Sequence, residues 1–364
     1  MKNAIFFLLL FPVFKTAAQG IAPGDTSWML GPFIKNDDRN PVLEPDSTTQ
    51  FVCPVSKKML RWEEKDVFNP AAMAVGNRVY LLYRAEDKIG KHAGTSRIGL
   101  ASSLDGLIFR RNPVPVLYPD NDSLHVYEWE GGCEDPRVVK REDGLYVMTY
   151  TAYDGQTARL CVASSGNLVN WEKHGLAFKQ TRYRDLWSKS GAIVCERVGN
   201  EIVARKISGK YWMYWGDTDI FAATSTDLIH WKPAEGRKKQ LVSALKPRTG
   251  YFDSQLVEPG PFALLTPKGI LLIYNSANNA ETGDKSLPHM TYAAGQALFD
   301  PKKPDKLIAR ANRYFLHPDR DYEMTGQVNN VCFVEGLVWF KGRWLLYYGT
   351  ADSKIAVAET EEER

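Results

Sequence analysis

The residues Leu145-Tyr146-Val147-Met148-Thr149-Tyr150-Thr151-Ala152-Tyr153-Asp154, followed by Leu160-Cys161-Val162-Ala163-Ser164-Ser165, decide how the rest of the chain is read. An aromatic-rich stretch alternates large apolar with small or hydroxylated side chains and ends in a polar group. A second, shorter stretch with Ala and Ser follows. Four other segments share the pattern. Val79–Asp87 precedes Ile98–Ser103, Tyr211–Asp217 precedes Ile220–Ser225, Ile270–Asn275 precedes Met290–Ala294, and Trp344–Asp352 precedes Ile355–Ala358. Two repeats run on into matching turns, Asn167-Leu168-Val169-Asn170-Trp171 and Asp227-Leu228-Ile229-His230-Trp231, and a glycine turn often opens the unit, as at Gly144, Gly209, Gly269 and Gly342. Alternating aromatics with turn signals and no long helical period predict short antiparallel strands. Five such units, none able to bury its face alone, predict an all-β fold built as a five-bladed β-propeller rather than a β-sandwich. Equivalent strand ends of a propeller face one funnel, so Arg84 and Asp87, Tyr150 and Asp154, Asp217, Asn275 and Asp352 are expected to converge there.

The composition suits that fold. The chain has 364 residues, 44% hydrophobic and 12% aromatic, with ten Trp and seventeen Tyr, enough for a large core and for stacking on sugars. Met1-Lys2-Asn3, the apolar run Ala4–Phe14 and the small residues Thr16-Ala17-Ala18 form a secretory signal peptide, too short to span a membrane and cut after Ala18. Residues 19–364 are then a single catalytic propeller. Removal of Lys2 and Lys15 leaves 44 basic against 43 acidic residues, a balance that argues against nucleic acid or an anionic membrane surface as partner. The expected location is outside the cytoplasm, in the periplasm or beyond it. Of the five cysteines, Cys53, Cys133, Cys161, Cys195 and Cys332, none forms a C-x-x-C pair, so no zinc site is expected. Cys161, Cys195 and Cys332 lie in apolar runs as buried thiols. No metal and no cofactor is called for.

The second informative stretch is Gly131-Gly132-Cys133-Glu134-Asp135-Pro136-Arg137, which packs two carboxylates, a proline and a guanidinium into its last four residues. Pro136 lacks an N–H and fixes its φ, so the tetrad is expected to be a stiff connector outside any central strand.

At this point a resemblance enters. Asn69-Pro70-Ala71-Ala72, Tyr83-Arg84-Ala85-Glu86-Asp87, Glu134-Asp135-Pro136-Arg137, Lys189-Ser190-Gly191-Ala192 and Tyr348-Gly349-Thr350-Ala351-Asp352, in that order, resemble glycoside hydrolase family 130, as do Asn40-Pro41-Val42-Leu43 and Asp227–Trp231. The resemblance covers roughly residues 40–360. It implies a five-bladed propeller that cleaves β-mannosidic bonds with inversion, by phosphorolysis or hydrolysis. It makes Asp135 the general acid, with its proton passing through a hydroxyl of the mannosyl unit. Such an acid needs its pKa raised by burial or by a neighbouring charge such as Glu134, with Arg137 opposing.

Phosphorolysis needs cations for a dianion, whereas hydrolysis needs a carboxylate base for water. The resemblance leads one to expect a His or Arg after the Lys-Tyr-x-Met strand of a phosphorylase. Here Lys210-Tyr211-Trp212-Met213 continues as Tyr214-Trp215-Gly216-Asp217. Glu258, in Val257-Glu258-Pro259-Gly260-Pro261, and Glu335, in Val334-Glu335-Gly336, stand where uncharged residues are expected. Both are candidate bases. The sequence therefore favours a β-mannosidase, most simply on β-1,2 linkages, over a phosphorylase or a non-catalytic carbohydrate-binding propeller. Three separated carboxylates of the arabinanase kind are not evident. Expected sugar contacts are Asn69, Arg84, Asp87, Arg137, Lys189, Asp217 and Asp352, with Tyr150, Trp215 and Tyr292 offering rings for stacking.

Overall fold

The computed structural model describes residues 25–361 except Ala93, so the expected signal peptide lies outside the described residues. The chain is all-β. Its helical content among these residues is two single turns, His125–Glu128 and Asp321–Met324.

The strands fall into antiparallel groups that follow the repeats. In the first, Asp66–Val75 pairs with Arg78–Glu86, which pairs with Ser96–Ser103 and then Arg110–Arg111. The second runs Gly132–Lys140, Tyr146–Tyr153, Ala158–Ser165 and Glu172–Leu176. The third runs Ala192–Val198, Lys210–Trp215, Ile220–Ser225 and Lys232–Pro233. In the fourth, Gly269–Ala277 receives Leu256–Pro259 and Ala263–Thr266 on one edge, and Tyr292–Asp300 then Lys303–Arg310 on the other. The fifth joins the two ends of the described chain: Cys332–Phe340, Arg343–Thr350, Lys354–Glu359 and Ile34–Lys35.

Successive groups pack face to face over shared apolar clusters. Leu82, Ile98, Val138 and Met148 join the first two groups, and Val79, Leu81, Val338 and Tyr347 join the fifth to the first. These faces are the alternating apolar residues of the repeats, which explains why no unit could stand alone. All five cysteines are buried and free, Cys53 included. No helix among the described residues is long and apolar enough to cross a membrane.

One device recurs that the sequence did not reveal. In four groups the second-strand tyrosine donates its hydroxyl to a fully buried carboxylate from the loop before the group, each at 2.8 Å: Tyr83 to Glu63, Tyr150 to Glu128, Tyr274 to Asp253 and Tyr348 to Glu323. A cation on the group's last strand, or beside it, closes each latch: Arg111 on Glu63 at 2.6 Å, Lys173 on Glu128 at 2.5 Å, Arg310 on Asp253 at 2.5 Å and Lys35 on Glu323 at 2.6 Å. A buried carboxylate is tolerable when a cation and a hydroxyl both satisfy it, and strongly destabilising when one of them is removed.

The expectation that Pro136 stands outside a strand is corrected. It lies within Gly132–Lys140, at a register slip between Glu134 and Arg137. A bulge has no ladder bond to lose, so the missing N–H costs nothing there.

Candidate active site

The first strand of each group carries one polar side chain followed by a proline or glycine. The pairs are Asn69-Pro70, Asp135-Pro136, Ser190-Gly191 just ahead of Ala192–Val198, Glu258-Pro259 and Glu335-Gly336. Register slips fall at Phe68/Pro70, Glu134/Arg137 and Val334/Gly336. Asn69, Asp135 and Ser190 adopt φ of 46°, 47° and 59°, and Asp352 adopts 50°. Left-handed backbone costs a non-glycine residue about 1–2 kcal/mol, least for Asn and Asp, so the surrounding sheets must hold these residues in place. The bulges turn the side chains out of the pleat. Glycine at 336 is required by close approach, because a Cβ there would stand 2.6 Å from the Pro70 carbonyl oxygen.

Around Asp135, Asn69 donates Nδ2 to Oδ1 at 3.0 Å, Arg84 reaches the same oxygen at 3.4 Å, and Lys189 Nζ stands 3.7 Å from Oδ2. Arg84 also pairs with Glu86 at 2.7 Å and Glu134 at 3.0 Å. Ser190 donates its hydroxyl to Glu258. Glu335 is buried, and neither carboxyl oxygen accepts a hydrogen bond from the described residues. Its nearest cation is Arg137, 3.5 Å away. Arg137 itself is committed to the strand of Glu258: it donates to the carbonyls of Pro259 at 2.8 Å and Gly260 at 2.7 Å, and is 3% exposed. It ties the Asp135 strand to the Glu258 strand.

The electrostatics reverse one expectation. Burial opposes charge on Asp135, but Arg84, Lys189, the Asn69 amide and Arg137 outweigh it and hold the carboxyl at about 2. Asp135 is therefore ionised at neutral pH. All of these partners except Arg137 arrive from distant parts of the sequence. Burial dominates at the other carboxylates. Glu258 is pushed up to about 7 by burial and by Asp217, against Lys189, Arg137 and Ser190. Burial also drives Glu335 far above the ordinary glutamate range, despite Arg137 and with help from Asp135 and Glu258. Asp352 is raised to about 7 by burial, against Arg84 and with the charges of Asp135 and Glu86 adding. Burial lowers the pKa of Lys189, but Asp135, Glu134 and Glu258 overcome it and raise the pKa overall. The site is a cage in which three cations and several carboxylates share few protons.

Of the residues expected here, Asn69, Arg84, Asp135, Lys189, Glu258, Glu335 and Asp352 come together, and Asp217 is near enough to act on Glu258. Asp87 does not join them. One oxygen pairs with buried Arg97 at 2.7 Å, and the other accepts the N–H groups of Ile89, Gly90 and Thr95, so its carboxylate is consumed by its own loop. Tyr150 is a latch residue, and Asp154 caps a turn and pairs with Arg159 at 2.6 Å. Asn275 clamps the backbone of Val334 with both ends of its amide, fixing the strand that presents Glu335. Among the aromatics, Trp215 is buried, while Tyr292 is half-buried and feels the charges of Glu258 and Asp352. The residue overlooked is Ser190. It stood beside Lys189 in a motif already quoted, and its cue was the glycine after it.

A family model described as beta-1,4-mannooligosaccharide phosphorylase, of glycoside hydrolase family 130, matches residues 33–364. The chain belongs to glycoside hydrolase family 130. Family 130 relatives include the 1,2-beta-oligomannan phosphorylase of Thermoanaerobacter sp. (strain X514), 33% identical over 90% of this chain and 97% of that protein. Among solved structures, a glycosyl hydrolase from Bacteroides ovatus is 48% identical with a TM-score of 0.90, covering 93% of this chain and 96% of the other. Another is 45% identical with a TM-score of 0.90, covering 95% of this chain and 98% of the other. It is described as showing that the family of mannoside phosphorylases contains glycoside hydrolases "that target beta-1,2 mannosidic linkages in Candida mannan".

Proposed function

We propose that this family 130 chain is an exported, inverting glycoside hydrolase that cleaves β-1,2-mannosidic linkages at the centre of a five-bladed β-propeller. The antiparallel groups support the blades, since each contributes one polar residue, in its first strand or just ahead of it, to a common site. The basic start, apolar run and small-residue cut of residues 1–18 support export, to the periplasm or beyond.

The observation that carries hydrolysis is the pair Glu258 and Glu335. Once Glu258 has given up its proton, its buried negative charge would repel a phosphate dianion, and the neutral Glu335 offers no cation in compensation, which favours a neutral nucleophile. Arg137, the cation nearest Glu335, is already held by two carbonyls. Glu258 is the base, because a group titrating at about 7 can accept a proton near neutrality. Glu335 stays protonated and neutral beside the attacking water. Asp135 is the acid, acting through a hydroxyl of the mannosyl unit as the family resemblance implies. Before substrate binds, the proton that Asp135 needs resides on Glu258. A mannosyl unit that takes the long contacts of Arg84 and Lys189 for its own hydroxyls, and expels water, shifts that proton to Asp135 and frees Glu258.

The second reading is phosphorolysis, favoured by the names of the curated relatives and by the presence of Arg84 and Lys189. Incubation with β-1,2- and β-1,4-mannobiose, with and without inorganic phosphate, separates the two. Free α-mannose formed first from the β-1,2 substrate, at a rate indifferent to phosphate, is the expected result. Strict phosphate dependence with release of a mannose phosphate would overturn it.

A further inference from the structure

Beside the catalytic cage stands an aromatic ledge that the mechanism does not use. Trp187 is 47% exposed, an unusual position for an indole, yet its orientation is fixed. Its N–H donates to Asp217 Oδ2 at 2.6 Å, and its ring packs edge-on against Tyr153 with centroids 6.4 Å apart. Tyr153 is steadied in turn by His92 at 6.0 Å. An adjoining cavity of about 520 Å³ is lined by Trp187, Trp215, Phe221, Asp217 and Asp219. The indole N–H of Trp215, although buried, has no partner among the described residues.

The ledge is bolted to the site. Gly216 donates its N–H to the Lys189 carbonyl at 2.9 Å, and Val257, the neighbour of Glu258, donates to the Thr218 carbonyl at 3.0 Å. Lys189, two residues beyond Trp187, reaches Asp135. A flat apolar face held rigid next to carboxylates with spare lone pairs suits a pyranose, whose C–H face stacks while its hydroxyls donate at the rim. A purely structural tryptophan would be covered instead of being anchored by its N–H with its face in water.

Resting on the β-mannosidase reading, we infer that Trp187, with Asp217 and Asp219 at its edge, forms a second sugar subsite that binds a mannosyl unit beyond the pair flanking the scissile bond. The enzyme therefore selects oligosaccharides over the disaccharide.

The experiment compares kcat/KM on β-1,2-mannobiose and β-1,2-mannotetraose for the wild type, Trp187→Ala and Trp187→Phe. The wild type is expected to favour the tetraose, and Trp187→Ala to lower the tetraose-to-biose ratio by about tenfold, the worth of one good ring contact. Trp187→Phe, which keeps a stacking face, restores most of the ratio. An unchanged ratio in Trp187→Ala, or equal loss on both substrates, overturns the subsite. Each assay is run with and without phosphate. Strict phosphate dependence would refute hydrolysis while the length ratio still judges the ledge. Should no turnover be seen, quenching of tryptophan fluorescence by mannotetraose in Asp135→Asn, abolished by adding Trp187→Ala, supports the subsite, and absence of quenching refutes it.

Discussion

Replacement of Ser190 by alanine tests the proton accounting of the site, because this hydroxyl touches Glu258 and no other carboxylate of the cage. In the proposed hydrolysis the transition state carries one proton on Asp135 and none on Glu258. The free enzyme between about pH 2 and about pH 7 holds the same single proton, but on Glu258. Since kcat/KM reports the free enzyme, it should be flat across that window and fall as pH rises through about 7, when the proton leaves. This is the opposite of the rise expected for a simple base. The Ser190 hydroxyl favours the ionised carboxylate, and a hydrogen bond to a charged group is worth about 1.5–3 kcal/mol. At about 1.4 kcal/mol per pH unit, its removal raises the Glu258 pKa by roughly 1–2 units. The falling limb should move up to about pH 8–9, and the plateau should drop by about 10- to 100-fold because the form with the proton on Asp135 becomes rarer by that factor. Above the shifted limb neither carboxyl is protonated in either enzyme, so the two profiles should merge. Asp352 also titrates at about 7 but faces Arg84 and Asp135, so Asp352→Asn in the same background is the control. Initial rates on β-1,2-mannobiose from pH 4 to pH 10 give the profiles. A uniform loss at every pH would reduce Ser190 to packing, and a limb that rises through neutrality would refute the protonation states assigned here.

Asp135→Asn, which keeps the Asn69 contact but has no proton of the right acidity, should lower kcat by about 10²- to 10⁴-fold with the fold intact by circular dichroism. Glu335→Gln should stabilise the protein at neutral pH by about 1–3 kcal/mol in urea, because an amide cannot ionise and so carries no penalty for being held neutral in the fold. Its folded pKa is raised, so the stabilisation should be absent in acid below the ordinary glutamate range and grow as pH rises above it. Tyr150→Phe, which strips the hydroxyl from the Glu128 latch, should cost about 1–3 kcal/mol in the same titration without changing kcat.

The strands were legible because the alternation of Tyr, Leu and Val with Thr, Ala and Ser reports a two-residue period directly, and every repeated segment became paired strand. The place of Asp135 in the cage was legible because Glu-Asp-Pro-Arg is an unusual cluster. Its protonation state was not, since Arg84 and Lys189 are brought to it by the fold alone. Strand-end position also misled at Asp87 and Asn275. A terminal polar residue can face a pocket or be spent on nearby N–H groups and a buried arginine, and the sequence reads the same in both cases. The pairing of a polar residue with a following proline or glycine was visible in the sequence. It went unread because proline was taken only as an end to strands, whereas a bulge admits it. The latch carboxylates Glu63, Glu128, Asp253 and Glu323 sit in the connections between repeats, two of them in single helical turns, where no periodicity marks them.

The pairing of Ile34 with Glu359 and of Lys35 with Ala358 lays the first strand of the described chain against the last. A short peptide could bridge that seam, and the exposed turn at Gly199-Asn200 offers a place to open the backbone instead. A rearranged gene reading from there would visit the same sheets in a rotated sequence, with Lys35 still reaching Glu323. The order of the units along the polypeptide is thus a convention of where translation starts, and the cage of carboxylates is indifferent to it.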